Sequence, residues 1–384
     1  MLGRGVSGMK SIWKSAKKVA GGTKDDCQYK ELRQKIFECR HELAHKDGGL
    51  INTDHEGIAK SRSVLAEVVK QVGKQILRGQ NLMSVSFPVR CCQPRTILEC
   101  AAYQFVFCPH YLGLAAAAAD PVERIKCVTA AFIACIHTTS QFVKPFNPTL
   151  GETLEASFGS DVDLFIEQTS HHPPVTSWLL QGKQGFKYYG WSTYQASFGY
   201  NKLFVDQSGL RRCEFADGTV IDVGFSQDKY NKALWGTVVH EILGSYVFHD
   251  AKNGLRVRVE MNPDRWLPSD AFVGAIERTD AAGNTIAQVA AVQGSFLGFL
   301  DFDGKRYWHV HDASARTEPT LRAAHLPSDS RTRADRNALA RGDEERAQAE
   351  KVVIEEAQRR QRRLRAAAAK ARETGRDWVA SAVK

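Results

Sequence analysis

Between residues 150 and 310 the chain is punctuated by seven turn signals: Phe158-Gly159-Ser160-Asp161, Gln181-Gly182-Lys183, Gln207-Ser208-Gly209, Ala216-Asp217-Gly218, Lys252-Asn253-Gly254, Ala282-Gly283-Asn284 and Phe302-Asp303-Gly304. Short runs rich in Val, Phe, Tyr, Trp and Thr lie between them. Runs closed by Asn-Gly or Asp-Gly read as hairpins. Their repetition predicts a long antiparallel meander, and hence a sandwich or a barrel. A barrel of that size encloses a cavity, and a cavity suits an apolar ligand.

Upstream of the meander the pattern is helical. Residues 29–45 and 56–77 read as helices separated by the Asp47-Gly48-Gly49 breaker, and a further helical block follows Pro94. An apolar segment covers 125–136. Downstream, Asp343 is placed to N-cap a helix reaching about Glu373, with Gly375 as its stop. The expected division is a basic segment at 1–24, a helical region at 25–80, the β-rich body at 81–310 and a helical region at 311–384.

Charge is distributed unevenly. The 384 residues carry a net +9, but residues 1–24 hold six Lys/Arg and no acid, and residues 311–384 are net +5. The 286 residues between are net −2. A nearly neutral body with basic ends does not resemble a nucleic-acid reader with a charged groove through its core. It suits a protein that meets anionic membrane surfaces. Within 1–24, Met9, Ile12, Trp13 and Ala16 share one side of a helical projection, with Val19 and Ala20. Lys10, Lys14, Lys17 and Lys18 take the other side. Such a segment either lies on an anionic bilayer or closes over an apolar opening; the alternative is a frayed cationic terminus.

No apolar run reaches the ~18 residues of a membrane span, and the N-terminus lacks the apolar core of a secretory signal. Nine cysteines without a CxxC pair argue against a disulfide framework or a Cys-rich zinc site, and favour reduced thiols in the cytosol. His41-Glu42-Leu43-Ala44-His45 matches the HExxH core of zinc hydrolases, in which two histidines one helical turn apart ligate the metal. Arg40 and Lys46 flank it, a third histidine is missing at Ile51, and only forty residues precede it. An exposed helical face is the plainer reading, and no metal or cofactor is expected. No nucleophile with a paired base is apparent.

Glu167-Gln168-Thr169-Ser170-His171-His172-Pro173-Pro174 is more informative. The prolines end a strand, so His171 and His172 sit at a rim where the backbone can turn and present both. Paired imidazoles at a cavity mouth offer N–H donors, or charge when protonated, to a phosphate. The alternative is a purely structural strand end.

This segment resembles the EQxSHHPP fingerprint of the oxysterol-binding protein family. Lys144-Pro145-Phe146-Asn147-Pro148-Thr149-Leu150-Gly151-Glu152-Thr153 is similar to the family's KPFNPLLGET, differing at Thr149. The tail from Asp329-Ser330-Arg331 through Gly342-Asp343 to Lys351, Glu355, Glu356, Gln358 and Arg359 resembles its closing pattern. The usual EPLS stretch stands here as Gln93-Pro94-Arg95-Thr96. The blocks occur in family order over roughly residues 80–365.

The resemblance implies a mainly β fold with helices (α+β): a large incomplete antiparallel barrel around a lipid tunnel, with an N-terminal lid, N-terminal helices and a C-terminal helical region. It further implies that Lys144, Asn147, His171, His172, Lys351, Glu355 and Arg359 bind the headgroup of phosphatidylinositol 4-phosphate. The second lipid would be a sterol or phosphatidylserine. Lys351, Glu355 and Arg359 stand at i, i+4, i+8 and would form one ridge on a helix. The expected protein is a cytoplasmic, non-enzymatic lipid carrier. It would associate peripherally with membranes, such as those of endoplasmic reticulum–Golgi or plasma-membrane contact sites. A non-transferring phosphoinositide sensor is the alternative.

Overall fold

The structure is a computed structural model and describes residues 26–76, 86–171 and 173–374. The amphipathic segment at 1–24, with Met9, Ile12, Trp13 and Ala16, lies outside the described residues, as do His172 and Gly375.

Seven α-helices are described: α1 (Asp26–Glu38), α2 (His55–Ile76), α3 (Ile97–Ala102), α4 (Cys108–Ala117), α5 (Pro121–Cys135), α6 (Ala334–Ala340) and α7 (Glu344–Glu373). The strands begin with β1 (Leu50–Ile51), β2 (Cys92–Thr96) and β3 (Lys144–Phe146). The meander then runs β4 (Thr153–Phe158), β5 (Val162–His171), β6 (Pro174–Gly182), β7 (Phe186–Gly199), β8 (Lys202–Phe215) and β9 (Val220–Val223). After a side hairpin, β10 (Gln227–Asn231) and β11 (Val239–Leu243), it resumes with β12 (Ser245–Asp250), β13 (Leu255–Met261), β14 (Ala271–Thr279), β15 (Thr285–Ser295), β16 (Phe299–Phe302) and β17 (Lys305–His309). A short β18 (Thr320–Leu321) returns to pair with β4.

Sixteen strands form one antiparallel sheet, ordered β17-β16-β15-β14-β13-β12-β9-β8-β7-β6-β5-β4-β18, with β10, β11 and β1 branching from β8. Its ends, β17 and β18, do not pair, so the barrel stays incomplete. Period-two alternation drives the strands. In β4, Leu154, Ala156 and Phe158 face inward, and in β13 Leu255, Val257, Val259 and Met261 do so. The inner face packs on α5, which buries ten of its fifteen residues, too many for a surface helix with one apolar stripe. Asp120 caps that helix by accepting from the Val122 N–H, and Pro121 opens it.

Two expectations fail, for physical reasons. The first helix ends at Glu38 rather than reaching residue 45. Beyond it, long-range bonds replace the helical ladder. The His41 N–H donates to Leu297 O at 2.7 Å, Gly49 N–H donates to the Asp270 carboxylate at 3.0 Å, and Arg40 pairs with Asp270 at 2.6 Å. The HExxH residues are therefore not on a helix, and His41 and His45 cannot form a ligand pair one turn apart. His41 packs against the His137 ring with centroids 5.7 Å apart, and burial pushes its pKa down.

The second failure is Gln207-Ser208-Gly209, which lies inside β8. The hairpin instead turns at Tyr200-Asn201, whose φ angles of 34° and 60° are both positive, as a two-residue type I′ turn requires. Gly209 has φ 147°, and a Cβ there would stand 2.1 Å from Trp191 O. The glycine sits where β8 changes neighbours: residues 202–206 pair with β10, and 212–214 with β9. Only a residue without a Cβ allows that bend beside β7.

Candidate functional site

A cavity of about 310 Å3 is bounded by Ile58 and Leu65 of α2, Phe142, and Leu203, Val205 and Tyr230 of the sheet. A smaller lobe of about 60 Å3 continues it past Gln207 and Asp228 to Phe132, Trp178 and Tyr188. The lobe mixes aromatic rings with polar groups, Arg211 among them, and Trp178 Nε1 is buried there without a hydrogen-bond partner among the described residues. A buried indole N–H without a partner is costly and calls for an acceptor.

Asp228 is held at the tunnel wall by a row of polar groups that sequence reasoning did not find. Ser140 Oγ lies 2.5 Å from His240 Nδ1, and His240 Nε2 lies 2.8 Å from Asp228 Oδ1. His240 is fully buried, with Tyr230 stacked on it at 4.6 Å. The Gln141 N–H, the backbone donor next to Ser140, is bonded to the Tyr230 hydroxyl at 3.1 Å. The row ties β10, β11 and the segment before β3 together.

A second cavity of about 230 Å3 opens from the first and shares Phe87, Lys144 and Asn147 with it. Its character is opposite. Five separate parts of the chain supply its polar lining, the segment before β2 with Ser86 being one. Lys144 comes from β3 and Asn147 follows that strand; His171 ends β5, whose course the prolines break. Arg333 precedes α6, and Lys351, Glu355, Gln358, Arg359 and Arg362 descend α7. Asp343 caps α7 by accepting from the Arg346 N–H at 3.0 Å. Six of the seven residues expected at a headgroup site thus line one cavity; His172 lies outside the described residues.

The electrostatics are those of an anion site. Five cations, Lys144, Arg333, Lys351, Arg359 and Arg362, stand against one lining carboxylate, Glu355. Glu355 is shared: Lys351 Nζ and Ser86 Oγ donate to it, and Arg359 Nη2 does so at 3.3 Å. Burial pushes the Glu355 pKa up, but those bonds and charges outweigh it, and the net shift is downward. Arg333 is neutralised by Glu152 at 3.0 Å and Asp335 at 2.6 Å, and its guanidinium donates to Asn147 O at 2.7 Å.

Lys144 differs from these. It donates to Asn147 Oδ1 at 2.7 Å and Pro145 O at 3.1 Å, and no carboxylate lies within 4 Å among the described residues. The surface it keeps faces the two cavities. Burial pushes its pKa down, assisted by the charges of Lys351 and Arg333 and opposed by Cys92 and Cys91.

The quoted sequence blocks meet behind the cavity. Glu152 accepts from Thr149 N–H at 2.8 Å and from Ser330 Oγ at 2.7 Å, and Thr96 Oγ1 donates to Ser330 Oγ at 2.9 Å. Ser86, Cys92, Arg333 and Arg362 were not expected in the lining. Arg362 was legible, since 351, 355, 358 and 362 continue one helical stripe. The first three reach the cavity only through long-range folding.

A family model described as oxysterol-binding protein matches residues 68–306. Oxysterol-binding protein 9 of Dictyostelium discoideum is 33% identical over 361 residues, covering 87% of this chain and 82% of that protein. Among solved structures, the Osh1 ORD domain in complex with cholesterol superposes with a TM-score of 0.66 at 20% identity, covering 93% of this chain and 90% of that one. The Osh3 ORD in complex with PI(4)P from Saccharomyces cerevisiae gives a TM-score of 0.61 at 20% identity, covering 80% and 84%.

Proposed function

The chain belongs to the oxysterol-binding protein family, a family of lipid-binding proteins and not of enzymes, and from that premise we propose that it carries phosphatidylinositol 4-phosphate and a second lipid between membranes. The observation that carries the proposal is the junction at Lys144 and Asn147, where a cation-lined cavity opens into an apolar tunnel. A phosphorylated headgroup fits the first cavity and acyl chains the second, so one molecule would span both. Lys144, Lys351 and Arg359 would meet the phosphate, with Asn147 and His171 as donors around the inositol and Glu355 accepting a ring hydroxyl. His172 is proposed to join them from the same rim.

The second lipid competes for the same tunnel. A sterol is the proposed occupant, because the tunnel ends on a lobe of aromatic and polar residues with an unpartnered Trp178 N–H, where Gln207 and Asp228 are already bonded to each other at 3.1 Å. One hydroxyl on an otherwise apolar ligand would supply the acceptor that the indole N–H lacks. Phosphatidylserine is the competing candidate.

Membrane contact is proposed at the tunnel's other side. Tyr200 and Trp235 are 89% and 58% exposed and pack edge to face at 6.5 Å. Asn201 pins the two loops: its Oδ1 accepts from Leu234 N–H at 2.6 Å and its Nδ2 donates to Trp235 O at 3.1 Å. Arg62 and Ala233, both lining the tunnel, bind each other there at 3.3 Å. Rigid, exposed aromatics flanked by Lys202 and Lys232 suit a bilayer interface. We assign the protein to the cytoplasm, peripherally bound to membranes, with the amphipathic segment at 1–24 as a lid.

The test is transfer between vesicles of defined composition. Donor vesicles carry phosphatidylinositol 4-phosphate and acceptors carry a fluorescent sterol, with the full chain at catalytic amounts. Counter-movement of both lipids is the expected result. Binding without movement would make the protein a sensor, and exchange against phosphatidylserine alone would replace the sterol. Absence of phosphoinositide binding would overturn the proposal.

A further inference from the structure

Cys91 and Cys92 are neighbours in sequence and stand on the boundary between the two cavities. Cys91 lines the apolar tunnel and Cys92 the cationic cavity. Both sulfurs turn toward one backbone acceptor, Pro88 O, at 3.1 and 3.9 Å. Cys92 opposes Lys144 in the parallel pairing of β2 with β3. Among the other described cysteines, Cys100, Cys108, Cys127, Cys135 and Cys213 are buried, and Cys39, half-buried, lies on the segment after α1 and lines neither cavity. The pair is therefore set apart by its position and by the cations beside it.

The environment assigns different parts to the two thiols. The neighbouring Cys91 thiol lowers the Cys92 pKa most, and Lys144 and Lys351 add to it; together they outweigh burial and hold the Cys92 thiol below its ordinary value. Cys91, whose thiol donates to Pro88 O, is pushed up by the neighbouring Cys92 thiol and by burial. A partly exposed thiolate in an electropositive setting is a reactive one, and a second thiol beside it is placed to resolve its oxidation.

We propose that Cys91 and Cys92 form a reversible oxidation site that gates the cationic cavity, with a hydroperoxide as the oxidant. The Cys92 thiolate attacks a peroxide oxygen, the O–O bond breaks, and the departing hydroxide takes a proton to leave as water. Cys91 then attacks the sulfenic sulfur, the S–S bond forms, and the released hydroxide leaves as water with the Cys91 proton. Two thiols lose two electrons, and hydrogen peroxide becomes two waters.

The consequence follows from geometry and rests on the cavity being the phosphoinositide site. Neighbouring Cα atoms lie 3.80 Å apart, below the usual 4.4–6.8 Å of a disulfide. Closing the ring therefore requires the peptide between a 3-10 turn and an extended strand to move. Cys92 is the register partner of Lys144, so the movement is transmitted to the cation at the junction. The strained ring is also readily reduced, which makes the change reversible.

Peptide mass analysis after hydrogen peroxide treatment of the full chain tests the chemistry independently of any ligand. The expected peptide spanning 91–92 is lighter by two hydrogens and regains them with dithiothreitol. Cys91→Ser should accumulate a sulfenic acid at Cys92 that dimedone traps, whereas Cys92→Ser should leave Cys91 unoxidised. Oxidised wild type should bind a short-chain phosphatidylinositol 4-phosphate at least tenfold more weakly, with recovery on reduction. Prior loading with that lipid should protect the pair. Free thiols at 91 and 92 under conditions that oxidise Cys39 would overturn the proposal, as would a disulfide without effect on binding. A disulfide in a protein whose reduced form never binds the phosphoinositide overturns the gating role and the phosphoinositide reading together, and supports the oxidation chemistry alone.

Discussion

Exchanging Lys144 for Met should separate binding from stability in opposite directions. Met keeps the unbranched stem and removes the charge. In the folded protein the ammonium has two neutral acceptors, Asn147 Oδ1 and Pro145 O, and burial pushes its pKa down. A lysine with a folded pKa below its unfolded value binds fewer protons when folded. Its penalty is fully present below the folded pKa and lifts as pH rises from that value toward the unfolded one. Lys144→Met removes the penalty and should stabilise the protein by about 1 kcal/mol at neutral pH, or about 2 °C in Tm. The advantage should shrink at alkaline pH, where the wild type sheds the same proton. Binding moves the other way. A phosphate charge about 4 Å from the ammonium gains about 4 kcal/mol at an effective dielectric of 20. Desolvation of the phosphate offsets part of that, leaving about 3 kcal/mol, a loss of roughly 100-fold in affinity. Titration with a short-chain phosphatidylinositol 4-phosphate and melting curves at pH 6, 7.4 and 9 measure both. Binding within threefold of wild type, or a Tm lowered by several degrees, would refute the reasoning.

The α7 ridge should respond unequally. Lys351 is 11% exposed and Arg359 54% exposed, so Lys351→Ala should cost about 2 kcal/mol of phosphoinositide affinity and Arg359→Ala about 1 kcal/mol, by the same titration. Equal losses would mean that the exposed guanidinium swings fully into the cavity. At the proposed membrane surface, Trp235→Ala combined with Tyr200→Ala should lower affinity for anionic vesicles about tenfold in a sedimentation assay. Binding of short-chain lipid in solution should be unchanged, since neither aromatic lines the cavities; a matching loss in solution would assign the pair to fold stability.

What the sequence showed and what it hid divide along contact range. Hairpins at Asn253-Gly254 and Asp303-Gly304 were legible because a turn's φ requirement is local: Gly254, Asp303 and Gly304 all take positive φ. The α7 cap at Asp343 and the 351–355–359 ridge were legible for the same reason. Gln207-Ser208-Gly209 misled because glycine has two uses. It permits positive φ in turns, and it permits close backbone approach inside strands. Only the neighbouring Trp191 carbonyl distinguishes them. The segment at 39–49 misled because its helical pattern competes with Asp270, a residue more than two hundred positions away that binds both Arg40 and Gly49.

The cavity itself shows why resemblance reached further than residue chemistry alone. Lys144 and His171 are unremarkable as isolated residues; what marks them is that β3 and β5 deliver them to α7 across one small volume. Glu152, Thr96 and Ser330, which make that delivery possible, are not themselves part of the cavity lining and carry no chemical signature of a ligand site. Such residues can be found in a sequence only as members of a fixed pattern, because their role is to hold Arg333, and through it the Asn147 carbonyl, in place. Cys92 belongs to the opposite case. It lies outside the quoted blocks, so no pattern pointed to it, and what sets it apart is its place opposite Lys144 and beside Cys91 at the boundary of the two cavities. A thiol of that kind becomes visible only when charge, burial and register are known together.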